Sequence, residues 1–116
     1  MSNAERPVVP AGREAARPID RFGSRGASAV HLGSGRGDAH VYVLHLEAGG
    51  EIGPHEAGFD QVYLVVSGRG WVAGAGGARV DLGAGQATRI RKGEVHAKGA
   101  YEPLTAVMVQ VDTIED

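Results

Sequence analysis

The sequence predicts an all-β domain, and three observations predict it. Glycine fills 19 of 116 positions, against a usual share of about 7%, and eighteen of them follow residue 20. Between the glycines stand short runs rich in Val, Leu, Ile and Tyr, the rhythm of many short strands joined by tight turns. No segment keeps a helical period through three turns.

Taken in order, residues 1–17 are rich in Ala, Arg and Pro; Gly12 to Arg17 has room for one helical turn, but prolines at 7, 10 and 18 bracket it. They read as a flexible or edge-draped arm. Ser2, Asn3 and Ala4 match an expression-vector remnant and are given no function. Residues 18–116 then form one domain, with strands expected at 19–22, 27–32, 39–46, 61–66, 70–73, 79–82, 87–90, 95–98 and 104–112. The breaks fall at Gly33 to Gly37, Gly49-Gly50, Ser67-Gly68, Gly74 to Gly77 and Gly83 to Gly85. The turn at Ala75-Gly76-Gly77 suits a hairpin, because glycine reaches positive φ without steric cost. Runs 62–66 and 105–109 are apolar on both faces, which places them in a sandwich or barrel with one face available to a subunit interface. Pattern alone leaves jelly roll, immunoglobulin-like sandwich and OB barrel open.

Composition removes several function classes. Twelve Lys+Arg against fourteen Asp+Glu give a net charge of −2, with no basic face for nucleic acid. The densest basic spot, Arg89, Arg91 and Lys92, reads as a solvated strand end. Without cysteine there is no disulfide, thiolate metal site or cysteine nucleophile, which fits a cytoplasmic protein. No apolar run is long enough to span a membrane, and no Gly-rich loop resembles a nucleotide cradle.

Two histidines sit in fixed glycine-punctuated frames: Gly49-x5-His55-x5-Gln61-x6-Gly68 and Gly85-x7-Gly93-x2-His96. Both frames resemble the paired motifs of the cupin superfamily, Gly-x5-His-x-His-x3,4-Glu-x6-Gly and Gly-x5-Pro-x-Gly-x2-His-x3-Asn. The likeness covers residues 39–111. It implies a double-stranded β-helix, or jelly-roll barrel, with a divalent metal (Mn, Fe, Ni or Zn) in the lumen, and a homodimer. The chain departs from the pattern at Ala57 (second His), Gln61 (Glu), Arg91 (Pro) and Ala100 (Asn).

On that resemblance His55, Gln61 and His96 are the candidate metal ligands. Strand alternation puts His55 and Ala57 on one face. Gln61 offers a carbonyl oxygen without charge, as a ligand or as a group orienting a histidine. His45 shares a face with Val41 and Val43 and is a candidate third imidazole if that face lines the lumen; a one-residue register slip reverses this. His31 and His40 read as surface residues, and Glu94 as a solvated charge. Tyr63, two residues after Gln61, is a candidate pocket wall as well as core. Phe59, in the loop before Gln61, suits a lid or dimer contact. Trp71 reads as core or interface, or as a platform for a ligand.

Two functions follow from different classes. One is a metal-dependent enzyme of the oxygenase, isomerase or decarboxylase kinds the resemblance implies, with no inward carboxylate as general base and Tyr63 or an unliganded histidine as the default. The other is a metal-free barrel that binds or senses a small molecule through its histidines.

Overall fold

In the computed structural model, which describes residues 6–115, eleven strands follow one another with a single 3-10 turn at Arg13–Ala15. They are β1 (Val9–Pro10), β2 (Arg17–Pro18), β3 (Ser28–Ala29), β4 (Ser34–Leu46), β5 (Glu51–Glu56), β6 (Asp60–Ser67), β7 (Arg69–Ala73), β8 (Arg79–Gly83), β9 (Gln86–Ile90), β10 (Val95–Ala100) and β11 (Leu104–Glu115). They form a five-stranded sheet in the order β1-β9-β6-β11-β4 and a four-stranded sheet in the order β5-β10-β7-β8, with β2 and β3 as a separate pair. Every pairing is antiparallel. The result is the double-stranded β-helix that the motifs imply.

Alternation along each strand builds the lumen. Tyr63 and Val65 of β6, Val72 of β7, Leu82 of β8, Ile90 of β9, Ala100 of β10, and Leu104, Ala106 and Met108 of β11 meet there in one buried cluster. Leu44 and Leu46 of β4 close it from the sheet edge. A second cluster of Val62, Val111 and Ile114 lies on the other side of the five-stranded sheet, with Leu32 against it.

The arm is draped on an edge over its described part. Val9 and Pro10 pair with Ala87 and Gln86 of β9, and Thr88 donates a hydrogen bond to the Pro7 carbonyl at 2.8 Å. Residues 1–5, including Ser2, Asn3 and Ala4, lie outside the described residues.

Four expectations need correction. Residues 19–22 are no strand: Phe22 and Gly23 both take positive φ, 62° and 65°, and the backbone turns there. The run 27–32 shrinks to β3. Strand β4 starts within the segment read as a break, because Gly35 and Gly37 are needed for close approach to β11. A Cβ on Gly35 would stand 2.8 Å from Val111 Cγ1, and Gly37 takes φ 98° where the β4–β11 register shifts between Val111 and Thr113. Finally, β5 was not anticipated, since Gly53-Pro54 interrupts its pattern. That dipeptide lies at a bulge: His55 pairs with His96 and Ile52 with Lys98, so two residues of β5 oppose the single Ala97 of β10.

Candidate functional site

The site sits at the barrel end where β6 and β10 begin. On β10, alternation sends His96, Lys98 and Ala100 inward, and Ala97 and Gly99 outward. His96 is fully buried. The β5 bulge brings His55 opposite it, with ring centroids 4.5 Å apart and planes tilted by 54°. His55 is itself exposed, and its Nδ1 donates to the Gly53 carbonyl at 2.8 Å.

Behind this pair lies a residue that neither motif marks. The Lys98 side chain is buried, and its ammonium Nζ stands 3.0 Å from His96 Nε2 and 3.2 Å from Gln61 Oε1. An ammonium has only donors, so His96 Nε2 accepts and its proton resides on Nδ1, which faces the Glu94 carbonyl at 3.5 Å. Burial first, and then the Lys98 charge, push the His96 pKa down to about 4; the ring is neutral at pH 7. Burial, and then the Arg6 charge, bring Lys98 down to about 8. The Tyr63 ring centroid is 5.2 Å from Nζ. Its hydroxyl is buried with no hydrogen-bond partner among the described residues, and burial pushes its pKa up to about 12.

The rim is tied by charge. The Arg6 guanidinium pairs with the Glu94 carboxylate and donates to the Arg89 carbonyl at 2.8 Å. Glu94 also accepts from the Arg91 backbone N–H at 3.0 Å. The reading of Glu94 as a solvated charge is thus corrected: it is partly buried and holds the arm to the β9–β10 turn. Asp60 accepts backbone N–H bonds from Lys92 at 2.8 Å and Ile114 at 2.9 Å. Burial opposes ionisation of both carboxyls, but the hydrogen bonds and neighbouring cations outweigh it and hold both below their usual values.

The sequence-selected residues fall into two groups. His55, Gln61 and His96 come together, and Tyr63 lines the same lumen. Ala57 packs in the core with no donor to offer. His45 is not brought in: Leu44 and Leu46 take the inward positions of β4, so His45 faces outward and meets Thr105 Oγ1 at 3.2 Å. Trp71 also lies outside the lumen, because Val72 points in. Its ring packs with Ala73 and Ala97 under the Arg79 guanidinium, 3.8 Å from the ring centroid. It borders an outer cavity of about 250 Å³ shared with Gly49, Glu51 and Tyr101. Phe59 stays in the β5–β6 loop, edge-on to His40 at 5.2 Å. Of the residues that motif reasoning missed, Lys98 had a signal, standing two after His96 on a strand. Arg6 had none, since its partner Glu94 is 88 residues away.

This donor set does not fit a divalent metal ion. A metal needs the lone pair of His96 Nε2, which accepts a hydrogen bond from an ammonium that also donates to Gln61 Oε1. A metal there would face the positive charge of Lys98 with no carboxylate to offset it. Among the described residues no group of three or more His, Cys, Asp or Glu could hold an ion.

No family model matches the chain. No curated protein matches it. Solved structures do. A conserved protein of unknown function from Streptococcus pyogenes is 27% identical, with 67% of this chain and 68% of that one covered and a TM-score of 0.62. A protein with a double-stranded β-helix domain from Klebsiella pneumoniae is 25% identical over 89% of this chain and 92% of that one, with a TM-score of 0.59. A cupin-like protein from Thermotoga maritima is 23% identical over 65% and 58%, with a TM-score of 0.61.

Proposed function

We propose that this chain, which shares the double-stranded β-helix fold of cupin-like proteins, is a cupin-superfamily domain whose barrel binds a small organic ligand in the lumen without a metal ion. The observation that carries this reading is the Lys98 ammonium between His96 Nε2 and Gln61 Oε1. It supplies a fixed positive charge where the motif's metal ligands converge. With His96 neutral and Gln61 uncharged, the lumen offers hydrogen bonds and one cation, a set suited to recognition.

The metal-dependent enzyme is the second reading. The close, tilted approach of His55 and His96 favours it, since His55 Nε2 makes no hydrogen bond to any described residue.

Elemental analysis separates the two, on protein purified without a metal column and then incubated with manganese, iron, nickel and zinc. The metal-free reading expects no stoichiometric metal in the wild type. It also expects uptake in the double variant Lys98→Ala/Gln61→Glu, which frees the His96 lone pair and restores a carboxylate. Near-stoichiometric metal in the wild type that His96→Ala abolishes would establish the enzyme reading instead.

A further inference from the structure

The ligand class can be narrowed from the charges around Lys98. Among the described residues its ammonium pairs with no carboxylate; its hydrogen-bond partners are a neutral amide oxygen and a neutral imidazole. A buried cation in that state is costly, and an anion is the usual remedy. Arg6 adds a second positive charge at the same rim, held by Glu94 and the Arg89 carbonyl. The two carboxylates at this rim are already engaged: Glu94 serves the Arg6 guanidinium and the Arg91 N–H, and Asp60 the N–H groups of Lys92 and Ile114. Among the described residues two buried donors here have no acceptor: the Tyr63 hydroxyl, whose ring faces Lys98, and Arg6 Nε. The exposed His55 imidazole covers His96 at the approach from solvent.

We propose that the lumen is a receptor for a small organic carboxylate, with Lys98 as the charge partner and the Tyr63 hydroxyl as a further donor. This rests on the metal-free reading above and names its ligand. The carboxylate accepts from the Lys98 ammonium, a charge-assisted bond roughly twice as strong as a neutral one. Nothing covalent is involved, and the bound anion leaves by the reverse route. Gln61 and His96 hold the ammonium in place and act as positioning residues.

Calorimetric titration with acetate, malonate and benzoate, each against its uncharged amide, tests the proposal in matched chloride at pH 7. At least one carboxylate is expected to bind saturably while its amide does not. Lys98→Met should abolish that binding, with circular dichroism showing the fold intact. Tyr63→Phe should weaken it about tenfold, the loss of one buried hydrogen bond. Equal binding of amide and acid, undiminished binding by a folded Lys98→Met, or no binding by any of the three carboxylates would each overturn the proposal. Metal analysis of the same preparation separates the two levels. Metal-free protein indifferent to carboxylates removes only the ligand assignment, whereas stoichiometric metal removes the reading beneath it.

Discussion

His96 and Lys98 are two residues apart on one strand face, and burial moves both pKa values downward. Their effects on stability occupy different pH windows. His96 stays neutral in the fold down to about pH 4 but takes up a proton near 6.5 when unfolded, so acid favours the unfolded chain. Stability should decline as pH falls from 6.5 towards 4, and His96→Gln should flatten the upper part of that decline, above pH 5, before the carboxylates titrate. Lys98 ionises at about 8 folded and 10.5 unfolded. Below pH 8 its buried charge weighs fully against the fold. Stability should therefore rise from pH 8 towards 10.5, by up to about 3 kcal/mol. The gain is best read below pH 10, because the raised Tyr63 pKa costs stability between 10 and 12. Urea melts at half-unit pH steps would show both slopes, and Lys98→Met should lack the alkaline one. At this scale the two motifs made His55, Gln61 and His96 legible. Lys98 was within reach of simple alternation, but an uncharged lumen is the default expectation for a core strand and hid it. Arg6 becomes a neighbour of Glu94 only once the arm is folded against β9, and no local pattern encodes that.

Among the elements, β10 illustrates how a strand is fitted on both sides. Its inner face carries the site, while its outer face is pared down at Gly99 so that the Trp71 ring can lie against the backbone. A Cβ at Gly99 would run into the indole. Gly99→Ala should therefore cost about 1–3 kcal/mol, as overpacking does. Gly53, where an added Cβ meets nothing within 4 Å, is the contrasting position, and Gly53→Ala should stay within about 0.5 kcal/mol. Denaturant titration followed by Trp71 fluorescence compares them. Strands with uninterrupted apolar runs, β6 and β11 above all, were plain in the sequence. Strand β5 was not, because Gly-Pro is ordinarily a turn signal and only the bulge against β10 explains its presence. The expected strand at 19–22 failed for the converse reason: Ile19 and Phe22 carry strand propensity, but Phe22 is held at positive φ, where propensity has no say.

At the scale of the whole molecule, the five-stranded sheet ends on a long exposed edge. Strand β4 has β11 on one side and no described strand on the other, and Val41, Tyr42 and Val43 are exposed along it. Unpaired apolar edges invite association, and the expected homodimer is tested there. Light scattering should find two chains per particle in the wild type and one in Val41→Lys/Val43→Lys; a wild-type monomer would remove the homodimer expectation. The barrel itself was legible only through the two motifs, because strand count and glycine rhythm suit several β architectures equally. The bulge in β5 has one more consequence. Ile52 and His55 are three positions apart, an odd step that a regular strand would place on opposite faces, yet both pair with inward residues of β10. The surplus residue between them is absorbed locally, so a chain lacking Gly53 would still present its histidine to His96. Related sequences are free to differ in length by one codon at this point, and an alignment that penalises a gap between the motif's first glycine and first histidine would pass over barrels whose interior is intact.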